Sequence, residues 1–459
     1  MKKLLIIVLF LCVLQVVYCE IETIAEQPRN FNEPNAGTKE NPFIIENLGN
    51  LRWFSETTTV WGDSLTTYHF IQEADIDATE TEIWNDGEGF HGIGMSLTDN
   101  PDFTRLYTDY DGQGHCINNL SINHTTFFTR SLFGNIQDSS IRNLNLVNIS
   151  YYGTSSGMIS RAWNSEIVNC SVSGNITGGG WGHSGLLGSC YSSTVSRCFT
   201  NVNMTLTEPH ASVSAFGFAM GFDNSQVDNC YSRGIITIEN AGYTEANCFA
   251  SGFDQSTISN CYTTTKLVSS NSTILGGWVE QAVINNFFWD SEMVNTTNVN
   301  NAVEDSELIN VTGFTTEEMK DSATYIQSGW DFENIWSINP EVNDGYPFLQ
   351  WLLSSTPNSE LDNNISMSKL SVTNYPNPFN PETTIEFNNP VQGEVNINIY
   401  NLKGQLVKSL LQENLNQGVH KAVWQGTDSN NRQVASGIYF YRITSSDKSS
   451  ITKKIVLMK

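Results

Sequence analysis

Asp223, Asp228 and Asp254, with Arg161, Arg197 and Arg233, come nearest in this chain to a catalytic set. A glycosidase needs two placed carboxylates, and a polysaccharide lyase needs a base with a cation to stabilise developing charge. Along the sequence no register brings a convincing pair together, and acids at exposed turns are explained by solubility. His183 next to Ser184 suggests serine hydrolysis, but no nucleophile elbow surrounds Ser184. The chain has no His-Glu-x-x-His zinc motif and no phosphate-cradling Gly-rich loop with Lys. The nearest fragment to a Ca²⁺ loop, Asp109-Tyr110-Asp111-Gly112-Gln113-Gly114, lacks the closing Glu and reads better as a tight turn, so no cofactor is expected. Trp163, Trp181 and Trp278 offer something different. Exposed indole faces hold sugar rings without the strict geometry of catalysis, which makes these three the candidate glycan contacts.

These residues sit in a repeat that must position them. Seven segments share an apolar residue, any residue, Asn or Arg, then Leu, Cys or Phe; they begin at Ile117, Ile141, Ile167, Val195, Val227, Ile258 and Ile284. Successive starts lie 24, 26, 28, 32, 31 and 26 residues apart. A period of this length signals stacked units rather than one globular core. Nine residues before the last six starts comes a second apolar register: Leu132, Met158, Leu186, Phe218, Phe249 and Leu275. Two residues further on the side chain is mostly small or unbranched, as at Gly134, Ser160, Gly188, Met220, Ser251 and Gly277. A fixed offset inside a variable period predicts one rigid part of each coil and loops that absorb the length changes.

Leucine-rich horseshoes have a similar period but a Leu-rich consensus, whereas short β-like runs alternate here with Asn, Ser and Gly. The fold expected is therefore all-β: a parallel β-helix, or solenoid, with coils about 4.8 Å apart. The Asn column marks turns, where a short amide bonds to backbone and tolerates left-handed geometry. Cys170, Cys198, Cys230 and Cys261 share one repeat position with Leu144 and Phe287, which predicts a packed column of small apolar groups. Cys116, Cys190 and Cys248 are less regular and leave room for a disulfide or two.

Gly185-Leu186-Leu187-Gly188 ahead of Val195-Ser196-Arg197-Cys198, together with Asn229-Cys230-Tyr231-Ser232 and Asn260-Cys261-Tyr262-Thr263, resembles the GLUG family of bacterial surface repeats. Other coils depart at the glycines, as Gly157-Met158-Ile159-Ser160 does. The resemblance implies a surface protein.

The ends set the compartment. Met1-Lys2-Lys3 followed by the apolar run Leu4 to Val17 suits a signal peptide over residues 1–19, and no later segment is apolar and long enough for a span of about 20 residues. With 23 Lys and Arg against 48 Asp and Glu, the formal net charge of −25 repels phosphate backbones and argues against a nucleic-acid partner. Residues 28–116 read as an N-terminal cap and first coils, with a strand at Pro42–Ile45, a short amphipathic helix from Leu48, and an edge strand over Tyr68–Asp77. Residues 117–290 form the repeat proper, 291–352 an aromatic-rich C-terminal cap, and 353–371 a Ser- and Asn-rich linker.

From residue 372 to 459, about six short strands predict a small β-sandwich of immunoglobulin-like type. Pro376, Asn377, Pro378, Phe379 and Asn380 lead into it; Ile399, Tyr400, Leu402 and Gly404 stand in its middle, Ala435 through Tyr439 with Gly437 near its end, and Lys453, Lys454 and Leu457 at its terminus. These motifs resemble the C-terminal sorting domain of type IX secretion. The resemblance implies the type IX machinery as a partner, transfer across the outer membrane, and a secreted or cell-surface location. The expected function is a surface scaffold for adhesion or glycan binding, with extracellular glycans or cell-surface proteins as partners. A polysaccharide lyase or hydrolase ranks second and a purely structural component third.

Overall fold

A computed structural model describes residues 22–95, 104–123, 130–208, 212–239, 241–269, 271–299, 303–354, 371–389, 393–401, 403, 405–416, 418–430, 432–446 and 450–458. The signal-peptide segment, nearly all of the linker, Leu402 and Gly404 lie outside these residues. The chain divides into two compact units, the first ending at Thr316.

The first unit is a right-through stack of parallel strands, so the β-solenoid expected from the repeat is the fold observed. One coil shows the plan. Leu187–Tyr191 runs along the first sheet, a turn at Ser192-Ser193 leads to Thr194–Ser196, and a bend at Arg197 leads to Phe199–Thr207 on the second sheet. Ser212–Phe216 on a short third sheet brings the chain back to Ala219–Asp223, the next rung of the first. The first sheet has seven strands, from Phe133–Gln137 to Val303–Glu304, and the third has four. The second extends from Phe43–Ile45 to Glu307–Phe314, so parallel pairing continues past residue 290.

Register holds because each row is chemically uniform. Ile141, Ile167, Val195, Val227, Ile258 and Ile284 pair successively, and each is fully buried. Each such side chain contributes about 1.5–3 kcal/mol, and a one-residue slip would turn its whole strand inside out. Aromatics stack at the strand spacing: Phe199 on Tyr231 at 4.8 Å, Tyr231 on Tyr262 at 4.9 Å, and Phe218 on Phe249 at 4.7 Å. In Gly185-Leu186-Leu187-Gly188 the glycines are steric necessities. A Cβ on Gly185 would lie 2.1 Å from the Gly217 carbonyl, and one on Gly188 the same distance from that of Ser160.

The turns are stitched by polar columns. At Asn119, Asn143, Asn169, Arg197, Asn229, Asn260 and Asn286 φ lies between 51° and 61°, the left-handed region that Asn accepts readily. The amides also bond along the axis: Asn169 donates to Asn143, and Asn286 to Asn260, both at 2.9 Å. The cysteine column uses a second device. Cys170, Cys198 and Cys230 backbone N–H groups donate to the sulfur of the next coil at 3.4 Å, while Cys198 Sγ donates to its own turn at the Ser196 carbonyl, 3.2 Å away. All seven described cysteines are buried, and none of them is in a disulfide. At the other corner, Ser139, Ser165, Ser193, Ser225 and Ser256 repeat this geometry with hydroxyls. Ser193 N–H donates to Ser225 Oγ at 3.1 Å, and Ser225 Oγ donates to the Asp223 carbonyl at 2.8 Å.

Two local features differ from the sequence reading. The segment Tyr68–Asp77 is two strands, and Tyr68–Gln72 lies inside the second sheet between Phe43–Ile45 and Thr108–Asp111 rather than at an edge. Its inward Gln72 is satisfied there, accepting from Tyr110 Oη and donating to the Cys116 carbonyl, each at 3.0 Å. The short helix is present at Leu48–Glu56, where the Asn47 side chain caps Asn50 N–H and Leu51, Trp53 and Phe54 are buried. On the third sheet, His183 is fully buried and both ring nitrogens lack a hydrogen-bond partner. Burial lowers its pKa to about 4, only partly opposed by the nearby Gly179 and Gly180 backbone.

In the second unit, Trp336–Ser337 pairs antiparallel with Phe348–Leu349, and two further antiparallel sheets surround one core. Ser371–Tyr375, Thr383–Asn389 and Gly418–Trp424 form one; Leu406–Leu415, Gly393–Asn401, Gly437–Thr444 and Ser450–Leu457 form the other. All six strands read from the sequence are there, and Ser371–Tyr375 is a seventh.

Two outcomes are expected. Ser225→Ala strands the buried Ser193 N–H and lowers unfolding free energy by about 1–3 kcal/mol, read as a drop in urea midpoint; an unchanged midpoint would show that the serine column is idle. For His183, the folded pKa lies below the unfolded value of about 6.5, so the unfolded chain binds the proton more readily. Stability is complete above that pH and falls toward about 4, by about 1.4 kcal/mol per pH unit. Between pH 7 and 5, His183→Gln should therefore lose about 2 kcal/mol less stability than the parent; equal losses would mean the ring does not stay neutral.

Candidate functional site

On the first sheet alternate residues face outward, and in-register pairing converts each outward position into a row along the solenoid axis. One row reads Asn135, Arg161, Ser189, Gly221, Gly252 and Trp278. Its neighbour reads Gln137, Trp163, Tyr191, Asp223, Asp254, Glu280 and Glu304. Where the first row loses its side chains, at Gly221 and Gly252, the sheet surface sinks into a groove of about 230 Å³. Tyr191, Asp223 and Asp254 line one side, Met220 and Ser251 the other, and Trp278 closes an end.

The glycines in this floor are unlike those of the core. A Cβ on either Gly221 or Gly252 would find its nearest neighbour at 3.6 Å, an ordinary contact. Packing does not require glycine here; the consequence of having it is the hollow itself. Tyr191 and Trp278 are three strand spacings apart, about 14 Å. Trp278 is 55% exposed, and its indole N–H donates to Glu280 at 3.1 Å. Tyr191 stacks on Trp163 with ring centres 5.3 Å apart, and the Arg105 guanidinium covers the Trp163 ring at 3.8 Å. A flat, preorganised aromatic wall results. Asp254 Oδ1 is shielded from solvent and accepts no hydrogen bond.

The three tryptophans thus have distinct situations. Trp278 borders the groove, and Trp163 supports its Tyr191 wall. Trp181 is 62% exposed on the loop before the third sheet, where the adjoining Gly182 lies against the Met220 sulfur. Asp223 and Asp254 stand side by side on paired strands, a pair that residue spacing alone did not bring together. Asp228 is round the corner on the second sheet, accepting from the Asn229 amide at 2.7 Å near Arg197; burial raises its pKa. Arg233 is buried and donates to Thr264 at 3.2 Å. These two therefore do not join the Asp223–Asp254 pair. Ser184 bonds to Ser156 at 2.8 Å inside the core beside the buried His183, where no substrate reaches. Burial pushes the Cys190 thiol up to about 12 and raises those of Cys170 and Cys230, so these sulfurs are packing groups.

In the Asp109–Gly114 segment, Asp111 accepts from Arg142 at 3.0 Å and from Asn143 and Gln113 N–H at 2.9 Å, as a turn-forming carboxylate does. Among the described residues no group of three or more His, Cys, Asp or Glu is placed to hold a metal ion. None of their helices is long and apolar enough to cross a membrane.

The groove's floor and acid pair went unread in the sequence, although a signal existed. Gly221-Phe222-Asp223 and Gly252-Phe253-Asp254 are the same tripeptide at the same distance before Val227 and Ile258.

In the second unit the Pro-rich motif holds the last strand. Asn377 accepts from Val456 N–H at 2.9 Å and donates to the Lys454 carbonyl at 3.1 Å. Phe379 N–H donates to the Val456 carbonyl, and Met458 N–H to that of Phe379. The buried Phe379 packs on Trp424 at 5.4 Å, and Trp424 on Tyr439 at 5.2 Å. Pro376, Pro378 and Asn380 are exposed, as are Lys453 and Lys454, while Gly437 opens the strand that pairs with the last one.

Residues 373–458 match the family described as the secretion system C-terminal sorting domain. A stretch of 180 residues, 39% of the chain, is 32% identical to 2% of Halomucin from Haloquadratum walsbyi. Another of 138 residues, 30% of the chain, is 29% identical to 14% of a putative Gly-rich membrane protein from Evansella cellulosilytica. The chain thus spans a small fraction of either relative. Among solved structures, PorZ, a surface component of the type-IX secretion system of Porphyromonas gingivalis, is similar over 27% of this chain and 16% of its own, at 23% identity and a TM-score of 0.17. An IgA1 protease is similar over 59% and 21%, at 18% identity and a TM-score of 0.40. Residues 373–458 are a type IX secretion C-terminal sorting domain carried with a parallel β-solenoid, and the protein is secreted or surface-exposed.

Proposed function

We propose that this protein is an extracellular glycan-binding scaffold, serving adhesion, whose binding site is the groove over Gly221 and Gly252. The repeat is read as GLUG-type and the C-terminal sheets as an immunoglobulin-like sandwich. The observation that carries the reading is the glycine-floored hollow between Tyr191 and Trp278, open to solvent and aligned with the solenoid axis. Flat aromatic faces take the apolar faces of sugar rings, while Ser251, Asp223 and Asp254 supply acceptors for hydroxyls. An extended chain laid along the axis meets the same Gly and Asp pair on two successive coils, because strands recur at about 4.8 Å, close to the rise of one hexose in an extended polysaccharide. A rigid solenoid needs little ordering to receive it.

A polysaccharide hydrolase is the second reading, favoured by the adjacent Asp223 and Asp254. Carboxyls about 5–5.5 Å apart serve retaining glycosidases. Release of reducing sugar by the full chain, lost in Asp254→Asn, would establish it over binding alone.

On a glycan array, the full-length protein is expected to retain oligosaccharides, and Trp278→Ala to weaken retention by about tenfold or more, as removal of an aromatic anchor does. Gly252→Leu should fold normally, given the free space above its Cα, yet block the groove. Undiminished retention by both variants would place the site elsewhere; no retention by the parent would defeat the glycan reading.

A further inference from the structure

We propose that the groove selects glycans bearing free amino groups, such as polymers of de-N-acetylated hexosamine. The inference rests on the glycan reading above and adds the chemistry of the preferred sugar. The wall that begins with Tyr191 continues as Asp223, Asp254, Glu280 and Glu304, one carboxylate per strand in unbroken register. Outward neighbours on parallel strands repeat at about 4.8 Å, so an extended chain over the glycine floor, whose successive sugars face alternate sides, presents amines to alternate carboxylates. Like charges so close repel one another, and a row of ammonium groups relieves that repulsion.

Asp254 adds an observation independent of the charge row. The residue lines the groove, and its Oδ1, turned away from solvent, accepts no bond from the protein, so a turn of the carboxylate brings an unfilled acceptor to a ligand. Neutral hydroxyls satisfy it, but an ammonium donor forms the stronger, charge-assisted bond. Met220 and Ser251 on the opposite side bring no cation to compete. The carboxylates lie on the Asp254 and Trp278 side of Tyr191, so the amine-bearing units lie there as well. N-acetylation, which removes the charge and adds bulk, is selected against.

The test is titration calorimetry of the full chain with three hexasaccharides: fully de-N-acetylated chitohexaose, its N-acetylated form, and cellohexaose. The de-N-acetylated hexamer is expected to bind about tenfold or more tightly than either neutral one at low salt, with the difference shrinking as salt rises. Asp223→Asn with Asp254→Asn should abolish the difference. Glu166→Gln with Glu239→Gln, which removes the same charge from exposed positions off the groove, should leave it intact. Equal binding of all three hexamers, abolished by Trp278→Ala but untouched by the Asp→Asn pair, would overturn the amine selectivity while leaving the groove as a glycan site. An equal loss in the Glu→Gln control would also overturn it, reducing the preference to bulk charge. Binding of none of the three would defeat both readings.

Discussion

In-register parallel stacking is the constraint on which everything else in the solenoid depends. Once Ile141, Ile167, Val195, Val227, Ile258 and Ile284 occupy one inward row, every outward position also becomes a row, whether or not its residues are alike. Core chemistry thereby dictates surface geometry. The loops between the second and third sheets absorb coils of different length, and the first sheet stays rigid because no length change falls within it.

Hydrogen bonding reinforces register at both corners by one device in two chemistries. Sulfur in the Cys170–Cys261 column and oxygen in the Ser139–Ser256 column each accept a backbone N–H from the preceding coil and donate to their own turn. An unpaired buried N–H costs about 1–3 kcal/mol, so these small groups discriminate strongly against slipped pairing. They also account for the four buried thiols of the column, Cys170, Cys198, Cys230 and Cys261, staying out of disulfides: there the sulfur is already engaged in turn geometry.

Much of this was legible in the sequence, for a physical reason. Inward rows need apolar side chains and left-handed turns need Asn, so Ile117, Ile141, Asn143, Asn169 and their equivalents announce the coil. The Ser column passed unnoticed because serine is common in turns of every kind, and its role emerges only when Ser193 and Ser225 are set one above the other. Outward positions carry no packing pattern. The juxtaposition of Asp223 with Asp254 depends on register across 31 residues, and the groove depends on what Gly221 and Gly252 leave out. The segment Tyr68–Asp77 misled in the opposite sense: its alternation, with charges expected to face water, suggested an edge strand, whereas Tyr68–Gln72 lies inside the sheet and Tyr110 and the Cys116 carbonyl satisfy Gln72 there. In the sorting domain, the Pro376–Asn380 motif was readable as a family signature, but its clasp on Val456 and Lys454 bridges nearly the whole length of the domain.

The groove joins these levels, since core register aligns its walls, missing side chains make its floor, and the sorting domain delivers it outside the cell. A crystal structure of the full chain with a bound hexasaccharide tests this account most directly. It predicts sugar rings laid across the strands along the solenoid axis, from Tyr191 over Gly221 and Gly252 to Trp278. An oligosaccharide seated on another face, with this groove holding only solvent, would contradict it.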